Sequence, residues 1–458
     1  MKWRIVLTVL FVLTLFAGFA YLYVNAFVRK HQHAVILFVV NGLDLSTLDL
    51  ARQQLGRSPL LSDPDDPSIS DARRRAAYRS CILNIDSFWN IALLGVQNAG
   101  QAVSDEGADA TALACGQRVQ NGYVAVNRRN ESLPTLIYAA ERAQRATGLV
   151  TTSSLVQPTP VAFYSTTRGV PDPYSNAADL VRYSNINIIL GGGEQYFVPA
   201  NATNEWGRRD NQNLIAEAKN RGYTVVHSRD ELNDVSAWRT GRLFGVFAPG
   251  QFYFSSLQPE NSRRQPSLAE MTRMAISCLN YNIGGYFLVV EHDLVARASE
   301  GNLGKLAVNE VAEVDEAVEA AVEYAGPDAL VIVTNNYSLG SVGALPAPTA
   351  DDLAVPPSTN IVSATASLPP APLPLWLAGP GGPPRTRTQT AWLRQRYDEG
   401  AFSTNAPGLL QPDPAFRFQT HAPVTAEPAW LASRGEGSSQ LRGFLSNTDV
   451  FDIVSEQF

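Results

Sequence analysis

The run Ala34-Val-Ile-Leu-Phe-Val-Val40 constrains this chain more than any other stretch. Its consecutive apolar residues, rich in β-branched side chains and closed by Asn41-Gly42, leave no polar face for solvent. A strand of this kind is covered on both sides, as the central strand of a parallel sheet flanked by helices is. The rest of the chain repeats the theme. Helices are expected over 44–56, 133–146, 267–279 and 308–325, and strands over 148–152, 186–190, 286–290 and 329–334. That alternation predicts an α/β fold, doubly wound, with a mostly parallel central sheet and helices on both faces. Ligands of such sheets sit beyond the carboxyl ends of the strands, so Asn41, Thr151, Glu291 and Asn336 fall on the functional edge. Gly191-Gly-Gly193 lacks the spacing of a phosphate-binding loop and reads as a tight turn.

Ahead of the first strand, Ile5 to Val28 is almost wholly apolar, bracketed by Lys2 and Arg4 on one side and Arg29 and Lys30 on the other. As a helix it would span ~36 Å, enough for a hydrocarbon core of ~30 Å. An uncleaved N-terminal membrane anchor over residues 1–31 is favoured over a cleaved signal, because Val24-Asn-Ala26 is a poor cleavage site. The basic residues are nearly balanced across the span, so charge does not fix its orientation. The main domain, 33–458, is expected to be extracytoplasmic (periplasmic or cell surface), or secreted if the segment is removed. Between about 345 and 410, prolines including Pro356, Pro357, Pro369, Pro370, Pro372, Pro374, Pro380, Pro383 and Pro384 predict an irregular insertion. The net charge of −7, with no long cationic run, argues against nucleic acid as a partner. Cys81, Cys115 and Cys278 imply no disulfide framework, and five histidines are few for a metal centre built on imidazoles.

The stretch Val103-Ser-Asp-Glu-Gly-Ala-Asp-Ala-Thr-Ala-Leu-Ala-Cys-Gly116 reads as a loop entering a helix. Asp105 is the expected N-cap, with Glu106 and Asp109 in the first turn, where the helix dipole favours acids. With Val150-Thr-Thr-Ser-Ser-Leu-Val-Gln-Pro-Thr-Pro160, Ile188 to Gly193, Gly245-Val-Phe-Ala-Pro-Gly250, Pro266 to Met271, Phe287-Leu-Val-Val-Glu291 and Asp315 to Val318, it resembles the alkaline phosphatase family. The resemblance covers nearly the whole chain after the anchor. It implies a phosphomonoesterase fold whose members use a serine nucleophile, two zinc ions ~4 Å apart and a magnesium ion.

On the motif, the serine position holds Glu106. The strand-end aspartate shared by zinc and magnesium is Asn41. The zinc-binding Asp and His after Glu291 are Ala296 and Glu300, and the later Asp-His pair is Asn336-Tyr337. A histidine by the magnesium is Gln157. What the resemblance retains is Thr159 and Glu291 from the magnesium shell, His421 from one zinc site, and Arg168, about one residue out of register with an arginine that grips phosphate. Too few ligands remain for zinc, which wants three or four. Tyr337 is expected to pack into the vacated site, and Glu106 to stand as a first-turn acid, paired with Arg168.

A carboxylate beside a phosphate oxygen is worth ~4 kcal/mol of repulsion at 4 Å and an effective dielectric of 20, roughly a thousandfold in binding. The expectation is therefore a catalytically inactive pseudophosphatase acting as a binding or structural subunit, without cofactor. The alternative is an active phosphomonoester hydrolase on a rebuilt site, taking Mg²⁺ or Ca²⁺ on carboxylates drawn from Asp44, Glu106, Asp109, Glu291 and Asp293. A homodimer is implied by the resemblance alone, and a protein partner is expected without its identity being readable.

Overall fold

A computed structural model describes residues 2–23, 34–55, 83–100, 103–165, 172–200, 206–258, 265–339, 342–345, 373–379, 415–418, 424–425 and 427–458. Its centre is a 10-stranded sheet. From one edge the strands are Gly443–Ser446, Asn90–Gly95, Ala429–Arg434, Leu330–Asn335, Ala34–Val40, Tyr286–His292, Ala146–Ser154, Ile188–Gly192, Leu243–Val246 and Thr224–Val226. All pairings are parallel except those of Ala429–Arg434, which runs against both neighbours. The apolar run of the first strand lies in the middle, as expected, and is buried throughout.

Alternation along that strand divides the core in two. Ile36, Phe38 and Val40 face one layer with the helices Leu45–Leu55, Leu268–Leu279 and Gly304–Ala325. Val35, Leu37 and Val39 face the other, with Glu106–Cys115, Leu136–Arg142, Pro158–Tyr164 and Asn447–Ser455. Each fully buried side chain of this size contributes ~1.5–3 kcal/mol of transfer free energy, so the central strand alone is a large part of the driving force. The doubly wound architecture is the predicted one.

Several boundaries differ from expectation for local reasons. The helix expected over 133–146 is only Leu136–Arg142. Thr135 caps it by accepting from Tyr138 N, and the chain then turns through Gln144 at φ 61° into the strand at Ala146. The strand expected to end at 290 continues to His292, which carries Glu291 into the sheet. Gly191 and Gly192 belong to a strand rather than a turn, and only Gly193, at φ 92°, bends the chain. The insertion is not wholly irregular, since the Leu-Trp-Leu-Ala-Gly run between its prolines forms a strand. Leu373–Gly379 pairs with Val342–Leu345 and Ala415–Phe418 in a separate three-stranded sheet.

The predicted anchor is a helix, Lys2–Tyr23, with Leu10, Phe11, Leu13 and Phe16 exposed. Thr8 and Thr14 hydroxyls donate to the carbonyls of Arg4 and Leu10 (2.9 and 2.8 Å). Among the described residues no helix is long and apolar enough to cross a membrane, so the fold does not bear out the transmembrane span. Cys115 and Cys278 are buried free thiols, and Cys81 lies outside the described residues.

Candidate functional site

The helix Glu106–Cys115 begins as the sequence implies. Asp105 is its N-cap, accepting from Ala108 N (2.8 Å) and also from Gly122 N (2.6 Å), while Gly116 closes the other end in the left-handed region. Removing a cap of this kind costs about 1 kcal/mol. Asp105→Ala is accordingly expected to lower the urea midpoint without changing the slope of the transition, and an unchanged midpoint would show that Gly122 and Ala108 find other acceptors.

Glu106 then projects from the first turn into a polar cluster at the carboxyl edge of the sheet. Its Oε1 accepts from the Thr159 hydroxyl (2.9 Å) and the Thr159 amide (3.2 Å). Thr159 is held there by the short helix Pro158–Tyr164, which starts on proline. Burial raises the Glu106 carboxyl to about 7, and the nearby charge of Asp293 adds to the rise.

Asn41, at the end of the central strand, is the hub. Its amide nitrogen donates to Glu291 Oε1 and Asp293 Oδ1 (both 3.0 Å) and reaches Thr159 Oγ1 (3.3 Å). Reversing the amide would set a carbonyl oxygen against the Asp293 carboxylate, which disfavours that orientation. Glu291 is fully buried, and its other oxygen accepts from the hydroxyls of Thr151 and Ser153. Burial, then Asp293, holds the Glu291 carboxyl well above the usual range. The second oxygen of Asp293 accepts from Arg297 Nε (2.7 Å), and Arg297 also reaches Glu300 Oε2 (3.4 Å). The charge of Asp293 raises the Arg297 guanidinium still further above its already high ordinary value.

The predicted residues divide as follows. Asn41, Glu106, Thr159, Glu291 and Asp293 come together, joined by Asn336, whose amide donates to Glu106 O (3.1 Å) and Thr159 Oγ1 (3.2 Å). Ala296 and Tyr337 pack with Leu339 and Val424 in a small apolar cluster, as expected for Tyr337. Glu300 is taken up by Arg297. Gln157 stands at the start of the Pro158–Tyr164 helix without a side-chain capping bond. Asp44 does not join the carboxylates, because it caps the Leu45–Leu55 helix by accepting from Thr47 N (2.6 Å) and Ser46 Oγ (3.0 Å). Asp109 does not join either and is reached by Asn447 Nδ2 (3.4 Å) on the far side of its helix. Arg168 and His421 lie outside the described residues, so the expected Glu106–Arg168 pair does too.

Arg297 was not singled out from the sequence. The available signal was its spacing: four residues after Asp293 and three before Glu300, it can pair with both along one helical face.

The two zinc ions of the resemblance do not fit these residues. Ala296 and Tyr337, where the resemblance implies ligands, pack with Leu339 in an apolar cluster, and the Asn41 amide turns a donor, not a lone pair, toward Glu291 and Asp293. Among the described residues no group of three or more His, Cys, Asp or Glu is arranged to hold a metal ion.

Comparison with known proteins agrees with the motif reading. The family model for alkaline phosphatase matches residues 32–456. Alkaline phosphatase 3 of Bacillus subtilis is 31% identical over 254 residues, covering 53% of this chain and 51% of that protein. The tissue-nonspecific alkaline phosphatase of Homo sapiens is 27% identical over 344 residues, covering 66% and 62%. The chain thus spans about half the length of the Bacillus relatives it matches. Among solved structures, the alkaline phosphatase of Thermus thermophilus has a TM-score of 0.66 at 21% identity, covering 94% of this chain and 93% of that one. That of the Antarctic bacterium TAB5 has a TM-score of 0.63 at 18% identity, covering 93% and 97%. At those identities the structures speak for the fold alone.

Proposed function

This chain belongs to the alkaline phosphatase family, and from that premise we propose that it is a catalytically inactive member acting as a binding or structural subunit. The observation that carries the reading is the hydrogen bonding of Asn41. An aspartate there would offer oxygens to cations, whereas the asparagine amide donates to Glu291 and Asp293 and ties them to each other. Glu106 at the nucleophile position points the same way. It is engaged by two bonds from Thr159, and its carboxyl is raised by burial, which disfavours the anion a nucleophile needs.

The proposal extends to setting. The exposed apolar side chains of the N-terminal helix anchor the domain at the extracytoplasmic face of a membrane. The helix's two threonines satisfy their own hydroxyls on backbone carbonyls, as polar side chains do in lipid. Self-association and a protein partner belong to the same proposal, and the cleft works without a resident metal.

The test is turnover of p-nitrophenyl phosphate by the purified chain supplied with zinc and magnesium. The expected result is no hydrolysis above the metal-only background. Turnover that a chelator abolishes, and that Glu106→Ala with Glu291→Ala removes, would overturn the proposal in favour of a hydrolase built on carboxylates.

A further inference from the structure

We infer that the strands Asn90–Gly95 and Gly443–Ser446, at one edge of the sheet, dock their uncovered face on an anionic membrane surface. Trp89, Ile91, Leu93 and Phe444 are the side chains that enter the lipid interface. This docking deepens the membrane setting proposed above and rests on it, adding to the N-terminal helix a second point of contact on the domain itself.

The fold treats the two faces of this sheet edge differently. Ala92 and Leu94 are buried in the layer that holds the helices Glu106–Cys115 and Asn447–Ser455. Ile91 and Leu93 turn to the opposite face, because neighbours along a strand alternate. On that face their register partners in the next strand, Ala432 and Trp430, are still buried in the other layer. Cover ends there. Trp89, just before the strand, is 65% exposed, and Ile91 and Leu93 are 62% and 41% exposed. Phe444 is in register with Leu93 and is 72% exposed. Its ring lies on the same face, since a Cβ on Gly95 would meet Phe444 Cζ at 3.6 Å. A strand covered on one side ordinarily turns polar residues to the other. Here Trp, Ile, Leu and Phe stand at the outward positions and form a contiguous apolar patch, the mark of an interaction site.

Charge and size choose the occupant. The two strands themselves carry no charged residue, and cations border them. The Arg434 guanidinium lies over the rings of Trp89 and Phe88, 5.4 and 5.8 Å from their centroids. Arg442 is exposed one residue before Gly443–Ser446. From Arg434 to Arg442 the chain holds two cations and one acid, Glu436, in a protein of net charge −7. Arginine beside tryptophan and phenylalanine suits the lipid interface, where the rings sit at headgroup level and the cations meet phosphate. A second copy suits the patch less well. It would set like-charged borders together, and four side chains of this size offer a few hundred Å², against about 800 Å² per partner in a stable complex.

The experiment is quenching of tryptophan fluorescence in the full chain, added from detergent to vesicles of brominated phosphatidylcholine with and without phosphatidylglycerol. Trp3, 81% exposed on the N-terminal helix, reports the anchor, and Trp89 reports the patch. Each signal is read as the difference that Trp3→Phe or Trp89→Phe makes. Trp89 is expected to be quenched on vesicles that contain phosphatidylglycerol. Arg434→Gln combined with Arg442→Gln is expected to weaken docking about tenfold, removing most of the Trp89 quenching while Trp3 stays quenched. Phe444→Ser, at an exposed position, is expected to do the same with an unchanged melting temperature. Quenching of Trp3 without Trp89 would overturn the docking and leave the anchor standing. Quenching of neither would overturn the anchor and the docking with it. Equal quenching of Trp89 without phosphatidylglycerol would refute the anionic surface. A dimer in sedimentation that Phe444→Ser splits would assign the face to a second copy and overturn the inference.

Discussion

Asparagine in place of Asp109 is expected to stabilise the folded chain by about 3 kcal/mol near pH 9 and by nothing measurable near pH 4. Asp109 is 2% exposed, and burial raises its carboxyl from 3.8 to about 8. Below 3.8 both folded and unfolded chains hold the proton, so the site is neutral toward stability. As pH rises through the window from 3.8 to about 8, the unfolded chain gives up the proton and the folded chain keeps it. Stability is lost over that interval and stays lost above it. A full conversion at ~1.36 kcal/mol per pH unit would exceed 5 kcal/mol. About half is the realistic figure, because the site relaxes and admits water once the charge forms, beyond the help that Ser104 and Arg118 already give at the raised value. Asparagine keeps the shape and an acceptor and has no proton to lose. Asp44, raised to about 6, and Glu106, raised to about 7, act in the same direction. Urea unfolding of wild type and variant at the two pH values is the check. An equal benefit at both would show that packing, not charge, drives the change.

The fold was legible because its strongest signals are local. Seven apolar residues ending in Asn41-Gly42 admit few environments, and the central strand lies where that run requires. The N-cap at Asp105 was equally readable, since a short acid before an alanine-rich helix satisfies orphan amides wherever it occurs. The candidate site was legible in part. Asn41, Thr159, Glu291 and Glu106 fall on strand ends and helix starts whose positions follow from the fold. Asp44 and Asp109 did not join them. Both sit within a few residues of site positions, but a cap and a helix face turn their carboxylates elsewhere. Arg297 was missed because its role comes from what surrounds it. An arginine beside two acids on a helix is ordinarily a solvated surface pair, and only the burial of Asp293 makes it part of the cleft. The strand Leu373–Gly379 was hidden for the opposite reason, its proline neighbours outweighing a short run of good strand formers.

Gly42→Ala is expected to destabilise the fold by about 4 kcal/mol, well beyond the effect of an ordinary glycine substitution. Gly42 has φ +76°, which an L side chain adopts at a cost of ~1 kcal/mol. The larger part is contact. A Cβ there would lie 2.6 Å from Ala296 Cα and 2.9 Å from Ala296 N, both backbone atoms that no rotamer change moves. Relief requires the strand end and the Leu294–Glu300 helix to separate. That would strain the bond from Gly42 N to Tyr337 O (3.0 Å) and the one from Asn41 N to His292 O (2.9 Å). Gly222 supplies the control, with φ +86° and nothing within 4 Å of its Cβ position, so Gly222→Ala isolates the conformational term at ~1 kcal/mol. The difference between the two variants in urea measures how tightly the turn after the central strand is pressed on Ala296. It also bears on the cleft, because the resemblance implies a metal ligand at position 296 and the turn reaches its backbone. A zinc-binding side chain at 296 would have to project from a helix already in contact with Gly42. If Gly42→Ala costs no more than Gly222→Ala, the approach is looser than drawn, and the space at Ala296 and Tyr337 is open to a ligand after all.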